Sequence, residues 1–160
     1  WGPLVHAQLS PGAGNSGKLV TLVRAEARRL ARDQRRPWIL ADGPPGIGCP
    51  VVATLTGASL VVAVTEATVS GEHDVDRALR LAQHFNLPRC VCVNKWDLNP
   101  EAAERIERNG LALGASLLPR IPYDPEVTEA QRRRLPVGAH GESPAAAAIR
   151  QGWEQLSNYD

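Results

Sequence analysis

Residues 60–93, LVVAVTEATVSGEHDVDRALRLAQHFNLPRCVCV, hold two short apolar runs on either side of a helix-like segment. The runs at 60–65 and 89–93 are apolar on both faces, which is typical of strands buried in a parallel sheet. The spacing between them predicts a helix over 70–85, which Ser70 would cap. A strand, a helix and a second strand in this order indicate a parallel pair joined by a crossover helix.

The same alternation continues on both sides of this unit. Further strands are predicted at 4–9, 38–41 and 116–121. Further helices are predicted at 18–34, at 50–55, at 100–109 with Gly110 after its end, and at 127–135. The expected fold class is therefore α/β, an open and mostly parallel sheet with helices on both faces. Ligands of such sheets bind beyond the carboxyl ends of the strands.

The composition narrows the possible classes of protein. The chain has 160 residues, 43% of them hydrophobic, and a formal net charge of +1, which fits one domain and favours no nucleic-acid partner. The cysteines Cys49, Cys90 and Cys92 are odd in number and form no CxxC pair, so neither a disulfide framework nor a metal site of their own is indicated. Without a long apolar run or a recognisable leader, we expect no membrane span and a cytoplasmic location.

The loop after the predicted strand 38–41 is the strongest candidate for a functional site. It reads Asp42-Gly43-Pro44-Pro45-Gly46. An aspartate at a strand end can hold Mg²⁺ beside a nucleotide phosphate, and glycines let backbone N–H groups approach that phosphate. The alternative interpretation is a tight strand-to-helix turn that the aspartate caps.

The segment DGPPGIGCPVVATLTGASLVVAVTEATVSGEHD at 42–74 resembles the MinD/ParA family of P-loop ATPases. It is most similar to the branch whose members carry an inserted ferredoxin-like domain with 4Fe-4S clusters. NSGKLVTLVR at 15–24, VNKWDLNPE at 93–101 and RIPYDPEVTEA at 120–130 fit the same branch. The resemblance implies a P-loop NTPase-like sheet that is incomplete at its amino terminus. It places the carboxy-terminal part of a nucleotide-binding domain at 1–137, and a linker with a possible terminal helix at 138–160.

The resemblance also implies roles for single residues. Asp42 corresponds to the acidic residue near Mg²⁺, and Gly46 to the backbone sensor of the terminal phosphate. Asn94 corresponds to the residue that recognises adenine through its side-chain amide, and Thr65 and Glu66 close the sheet edge near the site. The implied cofactor-binding residues are Asp42, Gly43, Pro44, Gly46, Asn94, Pro122 and Tyr123.

The function implied for the intact protein is ATP hydrolysis. Such a protein would bind ATP and Mg²⁺, form a homodimer across the nucleotide, and act on an iron–sulfur or electron-transfer partner. In the family, the phosphate loop and the cluster ligands precede the region that this chain matches, and the chain does not begin with methionine. We therefore expect a fragment that holds no cluster ligands and does not turn over ATP by itself, and we assign no catalytic residue.

Two other functions are compatible with the sequence. Residues 12–18 satisfy GxxxxGK and residues 94–97 read NKWD, a guanine-recognition motif, so a small GTP-binding module is one alternative. Leu19 stands where that loop needs a Ser or Thr hydroxyl for magnesium, and Asn15 or Ser16 could instead cap a helix. A noncatalytic protein-interaction fragment is the other alternative.

Overall fold

The computed structural model of the chain describes residues 2–8 and 16–159, in two compact units that divide between Ala58 and Ser59. The first unit contains helices α1 (Ser16–Asp33) and α2 (Cys49–Leu55). The elements of the second unit are, in chain order, β1 (Val61–Glu66), α3 (Val69–His84), β2 (Arg89–Asn94), a 3-10 turn (Trp96–Leu98), α4 (Pro100–Ala112), β3 (Ser116–Leu117), α5 (Pro125–Arg132), α6 (Val137–His140) and α7 (Pro144–Ser157).

The sheet of the second unit has three parallel strands in the order β1-β2-β3. In the register of β1 and β2, Val61 lies opposite Arg89 and Glu66 lies opposite Asn94. α3 connects β1 to β2 and α4 connects β2 to β3, as parallel strands require. The predicted α/β class with an open parallel sheet is confirmed.

One face of the sheet is covered by α3 and α4. Val91 and Val93 of β2 pack there against Leu79 of α3 and Ile106 of α4. All four side chains are at most 1% exposed, so this layer is the main core of the unit. Its position explains why the β2 residues on this face, Val91 and Val93, are apolar.

On the opposite face of the sheet, α7 covers β2. Cys90 and Cys92 lie in a second buried cluster with Leu118, and Leu156 of α7 packs against it. Burial raises the pKa of the Cys90 thiol, and burial, with the nearby Glu107 carboxylate, raises that of Cys92 to about 11. The two thiols are small core groups on one face of β2, and β2 has helices on both sides.

The different exposure of the cysteines predicts selective labelling. Cys49 is exposed at the start of α2, whereas Cys90 and Cys92 are buried and hold their protons. We expect a thiol reagent at neutral pH to modify one cysteine per folded chain and three after denaturation. Mass spectrometry identifies the labelled residue, and rapid native labelling of Cys92 would contradict this packing.

Asp124 joins the end of the chain to the rest of the second unit. Its buried carboxylate caps α5 by accepting the Glu126 N–H at 3.0 Å. The other oxygen accepts the N–H of Ala145, in the first turn of α7, at 3.1 Å. Hydrogen bonds from Ser143, Ala145 and Glu126 lower the pKa of Asp124, with Ser143 contributing the largest effect.

This lowered pKa predicts a pH-dependent stability. Because the folded-state pKa is below the ordinary value, Asp124 stabilises the fold above that ordinary value and loses its effect as pH falls through the folded pKa. We expect Asp124→Ala to lower the Tm at neutral pH, with Asp124→Asn intermediate since it keeps one acceptor oxygen. Thermal unfolding at decreasing pH checks this; a deficit that stays constant down to the acid transition would contradict it.

Three boundaries in the second unit differ from the prediction. Thr68, and not Ser70, caps α3 by accepting the Gly71 N–H at 3.0 Å. α4 continues through Gly110, where glycine allows the helix to approach the sheet. A Cβ at this position would lie only 3.0 Å from the Val91 side chain. The strand predicted over 116–121 is reduced to β3 and an isolated bridge between Asn94 and Ile121.

The first unit departs furthest from the prediction. Residues 4–8 and 38–41 belong to no strand of the described residues, and Leu9 lies outside them. The strand predictions at 4–9 and 38–41 are therefore wrong for the described positions, because a strand needs a hydrogen-bonded neighbour that these apolar runs lack here. The two helices do pack together, with Arg24 of α1 donating to the Ala53 carbonyl at 2.8 Å.

None of the helices described between residues 16 and 159 combines the length and the apolar character that crossing a membrane would require.

Candidate functional site

Asn94 is the last residue of the central strand β2. It lies opposite Glu66 of β1 and forms a parallel bridge with Ile121 on the other side. Its side chain is partly buried and makes no hydrogen bond within the described residues. A side-chain amide offers two donor hydrogens and an acceptor oxygen, so this group can bind a polar ligand at the carboxyl end of the sheet.

The chain after β3 lies directly against the end of β2. Ile121 donates its N–H to the Val93 carbonyl at 3.0 Å, and its own carbonyl accepts the Trp96 N–H at 3.3 Å. Pro122 and Tyr123 follow immediately, and Tyr123 is 52% exposed. The structure thus brings together three of the predicted site residues, Asn94, Pro122 and Tyr123.

An ion pair joins β1 to the residue after β2 at the carboxyl end of the sheet. The ammonium of Lys95 lies 2.6 Å from the Glu66 carboxylate. Lys95 adopts a left-handed backbone conformation with φ of 52°, which is uncommon outside glycine and occurs often at functional sites. Because both side chains are substantially exposed, we expect the pair to orient the strand ends more than to stabilise the fold.

Sequence reasoning missed the role of Gly71 in the first turn of α3. A Cβ at this position would overlap the Glu66 carbonyl oxygen and lie 2.6 Å from the Thr65 hydroxyl. Glycine therefore lets α3 begin directly against the end of β1. A glycine in the first turn of a helix that directly follows a strand was the available indication.

Arg120 supports the loop after β2 and was also missed. Its guanidinium lies 5.2 Å from the centre of the Trp96 ring and donates to Glu107 through Nε at 2.7 Å and through a second nitrogen. The hydrogen bond to Glu107 is the main reason that the pKa of Arg120 is raised. Such a forked pair fixes the plane of the guanidinium beneath the tryptophan.

The first unit holds the other predicted site residues. Asp42 is exposed, and its carboxylate makes no hydrogen bond or ion pair within the described residues. Gly43 lies close enough to α2 that an added Cβ would be 3.4 Å from the Thr54 methyl group. Gly46 has a φ of 94°, so this turn requires glycine, and Pro44 lies between the two.

Among the described residues, Asp42 offers a single carboxylate to a magnesium ion, with no cluster of further protein ligands around it. Residues 2–8 and 16–159 contain no group of three or more His, Cys, Asp or Glu side chains that could hold a metal ion. A free carboxylate oxygen is nevertheless the ligand type that Mg²⁺ prefers, and Mg²⁺ is commonly held by one or two carboxylates together with phosphate oxygens. The donor set therefore fits a nucleotide-bound ion better than a metal held by the protein alone.

A cavity of about 650 Å³ lies in the same unit, and Asp42 is one of its lining residues. Its volume falls within the range of ligand pockets, roughly 300–1,000 Å³. The lining is mainly aliphatic and includes Leu4 together with Leu19, Val23 and Leu30 of α1. An apolar lining does not suit a triphosphate, so we do not place the phosphates in this cavity.

The residues that would bind GTP in the alternative function are arranged less favourably for that role than Asn94 is for binding a base. Residues 12–15 of the GxxxxGK pattern lie outside the described residues, while Ser16 to Lys18 form the start of α1. The Asp97 carboxylate, which would face guanine, instead accepts the Tyr123 N–H at 2.7 Å.

No protein-family model matches the chain. The uncharacterised protein MJ0578 of Methanocaldococcus jannaschii is 29% identical over 97 residues, which are 61% of this chain and 34% of that protein. The MinD cell division protein of Aquifex aeolicus is 22% identical with a TM-score of 0.69, covering 90% of this chain and 61% of that one. MinD of Pyrococcus horikoshii, complexed with Mg-ADP, is 18% identical with a TM-score of 0.69, covering 90% of this chain and 57% of that one.

These similarities concern the fold. The chain spans about a third of the length of the relative MJ0578 and about three fifths of the solved MinD structures. The parallel sheet and the TM-scores of 0.69 both indicate the fold of the MinD structures, although the sequence identities are only 22% and 18%. The chain has the P-loop NTPase-like α/β fold of the MinD ATPases.

Proposed function

We propose that this chain is the ATP-binding part of a MinD/ParA-like ATPase and supplies the segment that recognises the adenine base. The observation that carries the proposal is the side-chain amide of Asn94, which makes no hydrogen bond within the described residues and ends β2 beside the loop of Pro122 and the exposed Tyr123. The fold adds support, since a protein with the same fold was solved with Mg-ADP.

The chemistry of Asn94 matches an adenine edge. Adenine presents an amino group and a ring nitrogen side by side, and an amide can accept from the first and donate to the second. The ring of Tyr123 and the pyrrolidine of Pro122 offer apolar surface against which a base can pack. Since the Asn94 amide makes no hydrogen bond within the described residues, binding breaks no such bond of this amide.

Asp42 and the glycines after it would serve the phosphate end of the same nucleotide. In this proposal Asp42 holds Mg²⁺, directly or through water, and the backbone N–H of Gly46 approaches the terminal phosphate. The bound ion would neutralise phosphate charge during hydrolysis.

The wider function rests on the sequence resemblance. We propose that the intact protein is cytoplasmic, dimerises across ATP, and couples hydrolysis to a ferredoxin-like domain or another iron–sulfur partner. This chain alone would bind nucleotide weakly and would not turn it over, because backbone N–H groups of a phosphate loop supply a large part of the binding and transition-state stabilisation. We also propose that the nucleotide-binding domain ends at residue 137.

Titration with a fluorescent ATP analogue tests the proposal, first on the 160-residue chain and then with an amino-terminal phosphate-loop segment added. We expect Asn94→Ala to weaken binding about tenfold or more, since it removes the donor and the acceptor together. Asn158→Ala is the matched control, because that amide donates to the Glu154 carbonyl at the end of α7. Equal affinity of Asn94→Ala and wild type would reject the assigned site.

The same titration separates the other functions. A preference for GTP that Lys18→Ala abolishes would favour the GTP-binding module. A folded chain that binds no nucleotide even after the phosphate-loop segment is added would favour a noncatalytic interaction fragment.

A further inference from the structure

The loops after β2 and β3 are tied together by a hydrogen bond that nucleotide binding, as proposed above, does not use. Oδ1 of Asp97 accepts the backbone N–H of Tyr123 at 2.7 Å. Hydrogen bonds to an ionised carboxylate are shorter and stronger than those between neutral groups. With the two bonds of Ile121 to Val93 and Trp96, this contact fixes the path of the chain as far as Tyr123.

The charged residues of the 94–97 segment are both bound to protein groups. Lys95 pairs with Glu66 at 2.6 Å, and Asp97 holds the Tyr123 N–H. Asn94 differs from them, because its side chain has no hydrogen-bond partner within the described residues. A motif that matches guanine recognition in sequence therefore leaves a different side chain available to a base.

We propose that Asp97 is a positioning residue that makes the base site selective for adenine over guanine. This inference rests on the proposed function. A guanine reader must accept from two neighbouring N–H groups, which occupies both oxygens of a carboxylate. One oxygen of Asp97 already holds the loop that carries Tyr123, so reading guanine would compete with the contact that positions the loop.

For adenine, the hydrogen bond to Asp97 orders the loop that carries Tyr123 before the base binds. Tyr123 is about half exposed, and its side chain makes no hydrogen bond within the described part of the chain. The hydrogen bond from its backbone N–H to Asp97 therefore fixes the backbone position from which the ring projects. Releasing that bond leaves the Asn94 amide intact but removes the fixed surface beside it, which raises the entropic cost of ordering the loop on binding.

The experiment compares Asp97→Ala and Asp97→Asn in the full 160-residue chain, labelled with ¹⁵N. Amide hydrogen exchange of Tyr123 reports the contact without nucleotide. We expect exchange about tenfold faster in Asp97→Ala, and close to wild type in Asp97→Asn because its carbonyl oxygen still accepts the bond. Glu101→Ala is the control, since this nearby exposed carboxylate has no hydrogen-bond partner among the described residues.

Nucleotide titration gives the second measurement. We expect the wild-type chain to bind ATP more tightly than GTP, and Asp97→Ala to weaken ATP binding by about tenfold while Asp97→Asn keeps most of it. Unchanged Tyr123 exchange in Asp97→Ala would overturn the positioning role. Selective loss of GTP binding in both variants would overturn it also, by making Asp97 a guanine reader. A wild-type chain that binds no nucleotide would count against the proposed function, whereas the exchange of Tyr123 would still decide whether Asp97 positions the loop.

Discussion

Ile106→Ala is expected to lower the free energy of unfolding by about 2–5 kcal/mol. Ile106 is fully buried in the layer between α4 and the sheet, where it packs with Leu79, Val91 and Val93. Truncation removes buried methyl and methylene groups and leaves a cavity that this close-packed layer can fill only in part. Equilibrium unfolding in denaturant, with an unchanged dependence on denaturant concentration, measures the loss.

Leu111→Ala is the matched control because Leu111 lies on the same helix and is 54% exposed. We expect its effect to stay within about 0.5 kcal/mol, as for other surface substitutions. Equal losses in the two variants would mean that α4 does not pack through Ile106.

Gly71→Ala is expected to destabilise the second unit by about 1–3 kcal/mol, although alanine is the better helix former. The added Cβ would overlap the Glu66 carbonyl oxygen and come within 2.6 Å of the Thr65 hydroxyl. Backbone cannot rotate away as a flexible side chain can, so either β1 or the first turn of α3 must shift. Thermal and denaturant unfolding of the variant check the loss.

The position of Gly71 extends this prediction to the candidate site. Glu66 is the register partner of Asn94, so a shift at the end of β1 reaches the proposed base-binding residue. We expect Gly71→Ala to weaken ATP binding as well as folding. Gly138→Ala is the control, because a Cβ at Gly138 meets no atom within 4 Å. A Gly71→Ala chain with unchanged stability would show that the approach of α3 to β1 is looser than described.

The strands and helices between residues 60 and 112 could be predicted because their causes are local. β1 and β2 are continuous apolar runs, and α3 and α4 have apolar residues at helical spacing. The extent of α4 could not be predicted, because Gly110 lies inside the helix for a reason that only its contact with Val91 supplies. The apolar runs at 4–8 and 38–41 were predicted as strands but form none, since apolar character alone does not provide a neighbouring strand.

The residues of the candidate site likewise include some that the sequence indicated and some that it did not. Asp42, Asn94 and Tyr123 were found from loop composition and from the resemblance, and their roles as ligands of a nucleotide remain predictions. Gly71 and Arg120 were missed because their importance depends on atoms of other segments. Asp97 was noticed only as part of a guanine motif, since no sequence pattern shows that its carboxylate binds a backbone N–H 26 residues away.

Between residues 60 and 112, the sequence by itself determined the kinds of element, their alternating order and the polar loops that follow them, because hydrophobic periodicity and turn residues act over a few neighbouring positions. The tertiary structure alone decided which groups meet at the carboxyl end of the sheet. There the strand register sets Asn94 between Glu66 and Ile121, and the return of the chain after β3 gives Asp97 its partner. Contacts of this kind depend on the relative placement of distant segments, which hydrogen bonding and packing fix only when the whole sheet has formed.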